Sequence, residues 1–116
     1  MPEFTRPATW DDLQDLARRL RDAQVDYALV GAYAVAAHGF NRFSEDIDIL
    51  GDPSAENSTR WIVALNELPD HATRALLAEP NVFANDMRYA VRVNDEFTID
   101  VLPSIAGQTW DQMKRR

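Results

Sequence analysis

The stretch Phe43-Ser44-Glu45-Asp46-Ile47-Asp48-Ile49-Leu50 alternates acidic and aliphatic residues over its second half. Alternation with a period of two predicts a β-strand with two unlike faces. Both aspartates then lie on one face, roughly 7 Å apart along the strand, and both isoleucines lie on the other. Two unpaired carboxylates at this spacing repel each other, so one keeps its proton unless a cation lies between them. Because Mg²⁺ prefers oxygen ligands, the stretch is a candidate metal site.

The aspartates also fit two other structural contexts, a solvated strand edge and a calcium loop. Aspartates at the edge of a sheet are often simply solvated. An EF-hand calcium loop starting at Asp46 would place Leu50 at position five and Asn57 at position twelve. Those positions need an oxygen donor and a bidentate glutamate, so the calcium loop is excluded. A magnesium site and a solvated strand edge both remain open on this pattern.

Length and composition predict one globular domain over residues 1–116. The chain has 116 residues, of which 46% are hydrophobic, enough to bury a sizeable core. No apolar run approaches the roughly 18 residues of a membrane span. The N-terminus carries Glu3 before any positive cluster and lacks the apolar core of a signal peptide. The absence of cysteine excludes disulfide bonds and favours a cytoplasmic location.

The charge balance limits the partners that the chain can have. A net charge of −7 argues against broad, non-specific binding of nucleic acid, which depends on positive surface. A local basic patch that binds one RNA end remains compatible with this charge. Because Lys114 is the single lysine, phosphate contacts must come mainly from arginine side chains or backbone N–H groups.

Apolar residues at helical spacing predict an amphipathic helix over residues 10–23, with Thr9 as its N-cap and Asp12 as the acid of a capping box. The basic residues Arg18, Arg19 and Arg21 lie among aspartates. This pattern is typical of a solvated face of mixed charge, and an RNA-facing patch is the alternative.

The second half of the chain has further helical and loop patterns. A second helix is predicted over residues 55–68, with Trp61 in the core, and shorter helices are predicted over residues 72–78 and 110–116. Residues 103–108 are predicted to form a loop.

A short strand over residues 27–30 precedes Gly31, and residues 32–38 are predicted to form a helix that Gly39 ends. A strand that passes through a tight turn into a helix N-terminus creates an anion site, because the first N–H groups of the helix are unpaired. In the following loop, Arg42 is either a phosphate clamp or a surface arginine that pairs with a nearby acid. His38 is interpreted as a packed residue at a helix end.

Two extended runs, over residues 87–93 and 97–102, predict a β-hairpin. Asp100 shares one face of the second run with Thr98, whereas the apolar residues share the other. Asp100 alone fits an exposed strand edge. If this strand pairs with the Asp46 strand, however, Asp100 completes a cluster of three carboxylates, because adjacent strands lie about 5 Å apart.

These motifs resemble, as a linked set, the nucleotidyltransferase superfamily that includes DNA polymerase β, and in particular its minimal bacterial branch, the abortive-infection type IV toxin nucleotidyltransferases. The matching motifs span residues 27–101 and are Leu29-Val30-Gly31-Ala32-Tyr33-Ala34-Val35, His38-Gly39, Arg42-x-Ser44-x-Asp46-Ile47-Asp48 and Ile99-Asp100-Val101. The resemblance implies an α+β nucleotidyltransferase fold, with helices packed on a mixed β-sheet and a motif core over about residues 27–102.

The resemblance also implies a chemistry. Asp46, Asp48 and Asp100 would bind two Mg²⁺ ions, with Mn²⁺ as a substitute, and Asp100 would help to deprotonate the attacking hydroxyl. The residues that would hold a nucleoside triphosphate, such as ATP, are Gly31, Ala32, Arg42 and Ser44. A nucleoside monophosphate would pass to a hydroxyl of an RNA (tRNA-like) or protein acceptor, as in a toxin–antitoxin or phage-defence system with a partner protein.

The chain departs from the family pattern in two respects. Ala32 stands where the family has serine or glycine, so a hydroxyl is lost and the backbone is less free to approach phosphate. Family members also commonly continue into further segments, often with a lysine. These departures support the alternative function, which is a nucleotide-binding regulatory module, similar to an antitoxin, without turnover.

Overall fold

The computed structural model describes residues 6–30, 46–84, 90–105 and 108–109, and the side chains as far as residue 104. The helices are α1 (Trp10–Asp22), α2 (Ala55–Asn66) and a 3₁₀ helix (Arg74–Ala78). The strands are β1 (Tyr27–Val30), β2 (Asp46–Gly51), β3 (Val91–Asn94), β4 (Thr98–Leu102), β5 (Ser104–Ile105) and β6 (Gln108–Thr109). Among these described residues, no helix is both long enough and apolar enough to cross a membrane.

Four of the strands form a mixed sheet in the order β1-β2-β4-β3. β2 pairs antiparallel with β1 and parallel with β4, and β4 pairs antiparallel with β3. The fold is therefore of the α+β class, as predicted from the sequence. The predicted hairpin is also present, since β3 and β4 are consecutive antiparallel strands.

Helix α1 begins as its sequence predicts. The Thr9 hydroxyl accepts a hydrogen bond from the Asp12 backbone N–H at 3.2 Å, and the Asp12 carboxylate accepts one from the Thr9 backbone N–H at 2.8 Å. This reciprocal pair is a capping box, which satisfies two of the N–H groups that a helix N-terminus leaves free. Arg6 extends the arrangement by donating to both carboxylate oxygens of Asp12, at 2.5 and 2.8 Å.

The apolar face of the sheet carries Ile47 and Ile49 of β2 into a core covered by the two helices. Leu16 and Leu20 of α1 and Trp61 of α2 pack in the same cluster and are almost completely buried. Trp61 lies 6.4 Å from Phe83 between ring centroids, so its predicted place in the core is confirmed. Burial of these side chains is the main term that holds the helices on the sheet.

Asn57 connects the start of β1 to the end of β2. The side chain is 1% exposed. Its Oδ1 accepts from the Asp26 backbone N–H at 2.7 Å, and its Nδ2 donates to the carbonyls of Asp26 and Asp52 at 3.0 and 2.9 Å. Because Asp26 precedes β1 and Asp52 follows β2, these three bonds fix the end of the sheet that lies farthest from Asp46.

The turn between β3 and β4 is held by the buried carboxylate of Asp95. Its oxygens accept hydrogen bonds from the backbone N–H groups of Asp70, Ala72 and Glu96, at 3.0, 3.0 and 2.9 Å. A buried carboxylate is stable only when such donors replace its hydration. The segment that follows α2 is thereby attached to the hairpin that carries Asp100.

Several predicted elements differ from the structure. The prediction of a loop over residues 103–108 is wrong, because Ser104–Ile105 pairs with Gln108–Thr109 in a second, two-stranded sheet. The predicted helix over residues 72–78 is the shorter 3₁₀ helix, and helix α2 ends at Asn66 instead of residue 68. The predicted helices over residues 32–38 and 110–116, and the first three residues of the Phe43–Leu50 stretch, lie outside the described residues.

Candidate functional site

Three carboxylates meet on one face of the central strand pair. β2 and β4 run parallel with Asp48 as the register partner of Asp100 and Asp46 as that of Thr98. Residues that are directly opposite each other on paired strands point to the same side of a sheet, and so do residues two apart on one strand. Asp46, Asp48 and Asp100 therefore lie on the same face, opposite the buried isoleucines of β2. The expected pairing of the two acidic strands is confirmed.

Arg92 of β3 joins this cluster. It is the register partner of Asp100 on the antiparallel side. Its Nε donates to Asp100 Oδ1 at 2.9 Å, and its Nη2 donates to Asp100 Oδ2 at 3.1 Å and to Asp46 Oδ2 at 3.4 Å. The fork of the guanidinium thus binds Asp100 through both carboxylate oxygens and reaches Asp46 at the same time, which is the strongest geometry for such a pair.

The electrostatics of the cluster favour a proton on Asp48. Burial raises the pKa of Asp48 above its ordinary value of 3.8, and the charge of Asp100, a hydrogen bond with Asp100 and the charge of Asp46 raise it further. The more distant positive charge of Arg92 opposes this rise. The same negative surroundings raise the pKa of Arg92, so its guanidinium stays charged. The repulsion predicted for closely spaced aspartates is present, and Arg92 relieves it at Asp46 and Asp100.

Asp46, Asp100 and Arg92 differ in their access to solvent. The side chain of Asp100 is 14% exposed and that of Asp46 is 34% exposed, whereas the side chain of Arg92 is 60% exposed. The two aspartates are therefore partly shielded beneath an arginine that lies mostly in solvent. A simple solvated strand edge does not describe Asp100, because most of its carboxylate surface is covered.

The chain leaves the described part of β1 at Val30, and Val30 is the register partner of Asp48. It returns in β2 at Asp46. The described residues on either side of residues 31–45 are therefore Val30, opposite Asp48, and Asp46 itself. The predicted nucleotide-binding residues, Gly31, Ala32, Arg42 and Ser44, belong to this segment and lie outside the described residues, as does His38.

The donor set of the cluster fits a hard divalent cation. Carboxylate oxygens are the ligands that Mg²⁺ prefers, and Arg92 already provides a positive charge that two of the three carboxylates share. Within the described residues, however, no group of three acidic, histidine or cysteine side chains is arranged around a common metal position. Asp46 and Asp100 are arranged around the guanidinium instead.

Arg92 was not predicted as part of the site, because its position depends on the register of the hairpin. In the structure, Asn94 pairs with Thr98, so the residue opposite Asp100 is Arg92. Charges of opposite sign at facing positions of paired strands attract each other. The predicted turn of residues 94–96 would instead pair residue 93 with residue 97 and place Ala90 opposite Asp100, so only the observed register identifies Arg92 as the cation of the acidic face.

The arginines of α1 form a separate surface. Arg18 and Arg19 both pair with Asp15, the latter at 2.8 Å, and Arg21 lies 3.9 Å from Asp22. These ion pairs agree with the predicted solvated face of mixed charge. A shallow groove beside them includes Tyr27, which pairs with Gly51 at the end of the sheet remote from the acids. The described part of this groove is therefore distinct from the acidic cluster.

Comparison of the chain with protein-family models, with curated proteins and with solved structures gives no match.

Proposed function

We propose that the chain is a Mg²⁺-dependent nucleotidyltransferase that transfers a nucleoside monophosphate from a nucleoside triphosphate to a hydroxyl of an RNA or protein acceptor. The observation that carries this proposal is the register of β2 and β4. This register places Asp100, which follows Asp48 by 52 positions in the sequence, directly opposite Asp48. Asp100 therefore lies on the same face of the sheet as Asp46. Three acids that converge from two strands on one face of a sheet repel one another, and clusters of this kind are typical of sites that carry function.

The roles of the residues follow from their positions. Asp46, Asp48 and Asp100 provide the oxygen ligands, and a bound Mg²⁺ pair would polarise the α-phosphate and neutralise the charge of the leaving group. The described residues that precede and follow residues 31–45 in the chain, Val30 and Asp46, lie at the cluster. The family resemblance implies that Gly31, Ala32, Arg42 and Ser44 hold the triphosphate.

The reaction balances as one displacement at phosphorus. The acceptor hydroxyl forms a new bond to the α-phosphate, the bond from the α-phosphate to the β-phosphate oxygen breaks, and pyrophosphate leaves. The hydroxyl proton passes to a carboxylate, for which Asp100 is proposed. This role of Asp100 is the one that the family resemblance implies, and the side chain lies on the same face as Asp46 and Asp48.

The test is transfer of radiolabel from each of the four α-labelled nucleoside triphosphates to cellular RNA and to cellular protein, with and without Mg²⁺. We expect Mg²⁺-dependent labelling by the wild type and a loss of at least about a hundredfold in Asp100→Asn, as for removal of a general base. Asp70→Asn is the matched control, because the Asp70 side chain is exposed and does not belong to the three-acid cluster. Label transfer that survives in Asp100→Asn, or that needs no metal, would refute the proposed mechanism.

A second candidate is a nucleotide-binding regulatory module without turnover, and the position of Arg92 favours it. An arginine that binds two of the three carboxylates leaves fewer oxygen lone pairs for metal. Triphosphate binding without transfer of label to any acceptor would identify this module. In either case we propose a cytoplasmic protein that works with a partner protein, as in a toxin–antitoxin pair.

A further inference from the structure

We propose that Arg92 is a tethered counter-cation that occupies the acidic cluster until a divalent ion displaces it, so that the site is held closed to metal by the protein itself. This inference rests on the proposed function and adds regulation to it, since metal loading then requires Arg92 to move. In the structure, the guanidinium of Arg92 pairs with both Asp46 and Asp100.

The first argument is competition for the same oxygen atoms. Arg92 donates to both oxygens of Asp100, at 2.9 and 3.1 Å, and to Asp46 Oδ2 at 3.4 Å. A carboxylate that is engaged through both oxygens by a guanidinium fork lies with its lone pairs directed at the fork. A metal ligated by Asp46 and Asp100 needs the same lone pairs, and two cations at this separation repel each other. Metal and guanidinium therefore exclude each other.

The second argument is that Arg92 can leave without disturbing the fold. Its side chain is 60% exposed, and β3 lies at the end of the four-stranded sheet. The neighbouring Val93 is 3% exposed and belongs to the core, so it holds the strand in place while the arginine changes rotamer. Exposed side chains change rotamer in picoseconds to nanoseconds, so displacement needs no larger rearrangement.

The third argument is electrostatic. Without a cation, the three carboxylates that the register places on one face repel one another. Arg92 compensates part of that repulsion in the metal-free protein, at the two acids that it contacts. A divalent ion carries twice the charge and binds closer to the oxygens, so it replaces the arginine once its concentration is sufficient.

The test is isothermal titration calorimetry with Mg²⁺ alone, carried out on the wild type, Arg92→Gln and Arg92→Lys. We expect Arg92→Gln to bind Mg²⁺ about two- to tenfold more tightly, because the loss of a partly shielded ion pair removes the competitor. Arg92→Lys keeps the charge but loses the fork, so we expect an intermediate affinity. Arg60→Gln is the matched control, since Arg60 is a partly exposed arginine that pairs with an acid outside the cluster, Glu56 on α2.

Thermal unfolding without metal accompanies the titration, and we expect all three variants to unfold cooperatively. An Mg²⁺ affinity of Arg92→Gln equal to or weaker than that of the wild type would overturn the role of Arg92. If Mg²⁺ binding is present in that case and is lost in Asp48→Asn, the proposed metal site is supported and only the role of Arg92 as a counter-cation is refuted. If the wild type and every Arg92 variant fail to bind Mg²⁺ and Mn²⁺, the proposed function is refuted together with the counter-cation.

Discussion

Replacement of Asn57 with alanine is expected to destabilise the protein by about 3 kcal/mol. The substitution removes three side-chain hydrogen bonds of 2.7 to 3.0 Å from a position that is 1% exposed. Each such bond contributes about 1 kcal/mol net. The Asp26 carbonyl keeps the Asp52 backbone N–H at 3.1 Å, so the largest additional cost falls on the Asp26 N–H, which loses its acceptor. A chain of 116 residues has a free energy of unfolding of roughly 6–17 kcal/mol, so the loss is a large fraction.

The assay is equilibrium unfolding in urea. With a slope of about 1–3 kcal/mol per molar urea, a loss of 3 kcal/mol lowers the midpoint by about 1–3 M. Asn81→Ala is the matched control, because Asn81 is exposed and substitutions at such positions usually change stability by less than about 0.5 kcal/mol. Asn57→Asp provides a second comparison, since it keeps the acceptor for Asp26 but turns an oxygen towards two carbonyls.

The reasoning is refuted if Asn57→Ala loses less than about 1 kcal/mol, or no more than Asn81→Ala. It is also refuted if Asn57→Asp is as stable as the wild type, because the donated bonds would then contribute nothing. Asn57 binds the end of the sheet that lies farthest from Asp46. Either result therefore concerns the stability of the fold and does not test the proposed reaction.

Two further predictions concern the dependence of stability on pH. Hydrogen bonds from Arg6 lower the pKa of Asp12 to about 2. The ionised carboxylate therefore stabilises the fold at pH values above its ordinary pKa of 3.8, and this contribution is lost as the pH falls through about 2. Asp12→Asn should therefore lose about 1–2 kcal/mol at pH 7, with the difference from the wild type shrinking between pH 4 and 2 in urea unfolding; an equal difference at both pH values would contradict it. The raised pKa of Asp48 has the opposite sign, because stability that is present below 3.8 is lost as pH rises through the folded value. Asp48→Asn should accordingly have a higher melting temperature than the wild type at pH 7 and the same melting temperature at pH 3, and a lower one at pH 7 would contradict the origin of the shift.

The position of Arg92 over Asp100 and Asp46 concerns both the stability of the protein and the reaction that we propose for it. In the metal-free state the arginine offsets repulsion that would otherwise oppose folding. The same contacts compete with the cation that the proposed reaction needs. A site whose charges are balanced internally can fold without its cofactor, and it then requires a defined concentration of metal before it becomes active.

Local sequence patterns were sufficient for most of the elements. The capping box of Thr9 and Asp12 predicts the start of α1 because both partners lie within one turn. The alternation along β2 predicts which residues share a face, because that follows from strand geometry alone. The exact ends of α2 and the pairing of β5 with β6 were not predicted, since short elements with few side-chain contacts carry weak patterns.

The sequence by itself determined that Asp46 and Asp48 share one side of a strand and that Asp100 stands alone among apolar neighbours. Only the tertiary structure decided that the two strands lie side by side in parallel, with Asp48 opposite Asp100, and that Arg92 lies over the resulting cluster. Side-chain direction along a strand is a local property of the backbone. The choice of the neighbouring strand and its register depends on how the isoleucine face of the sheet packs against both helices, which no short stretch of sequence contains.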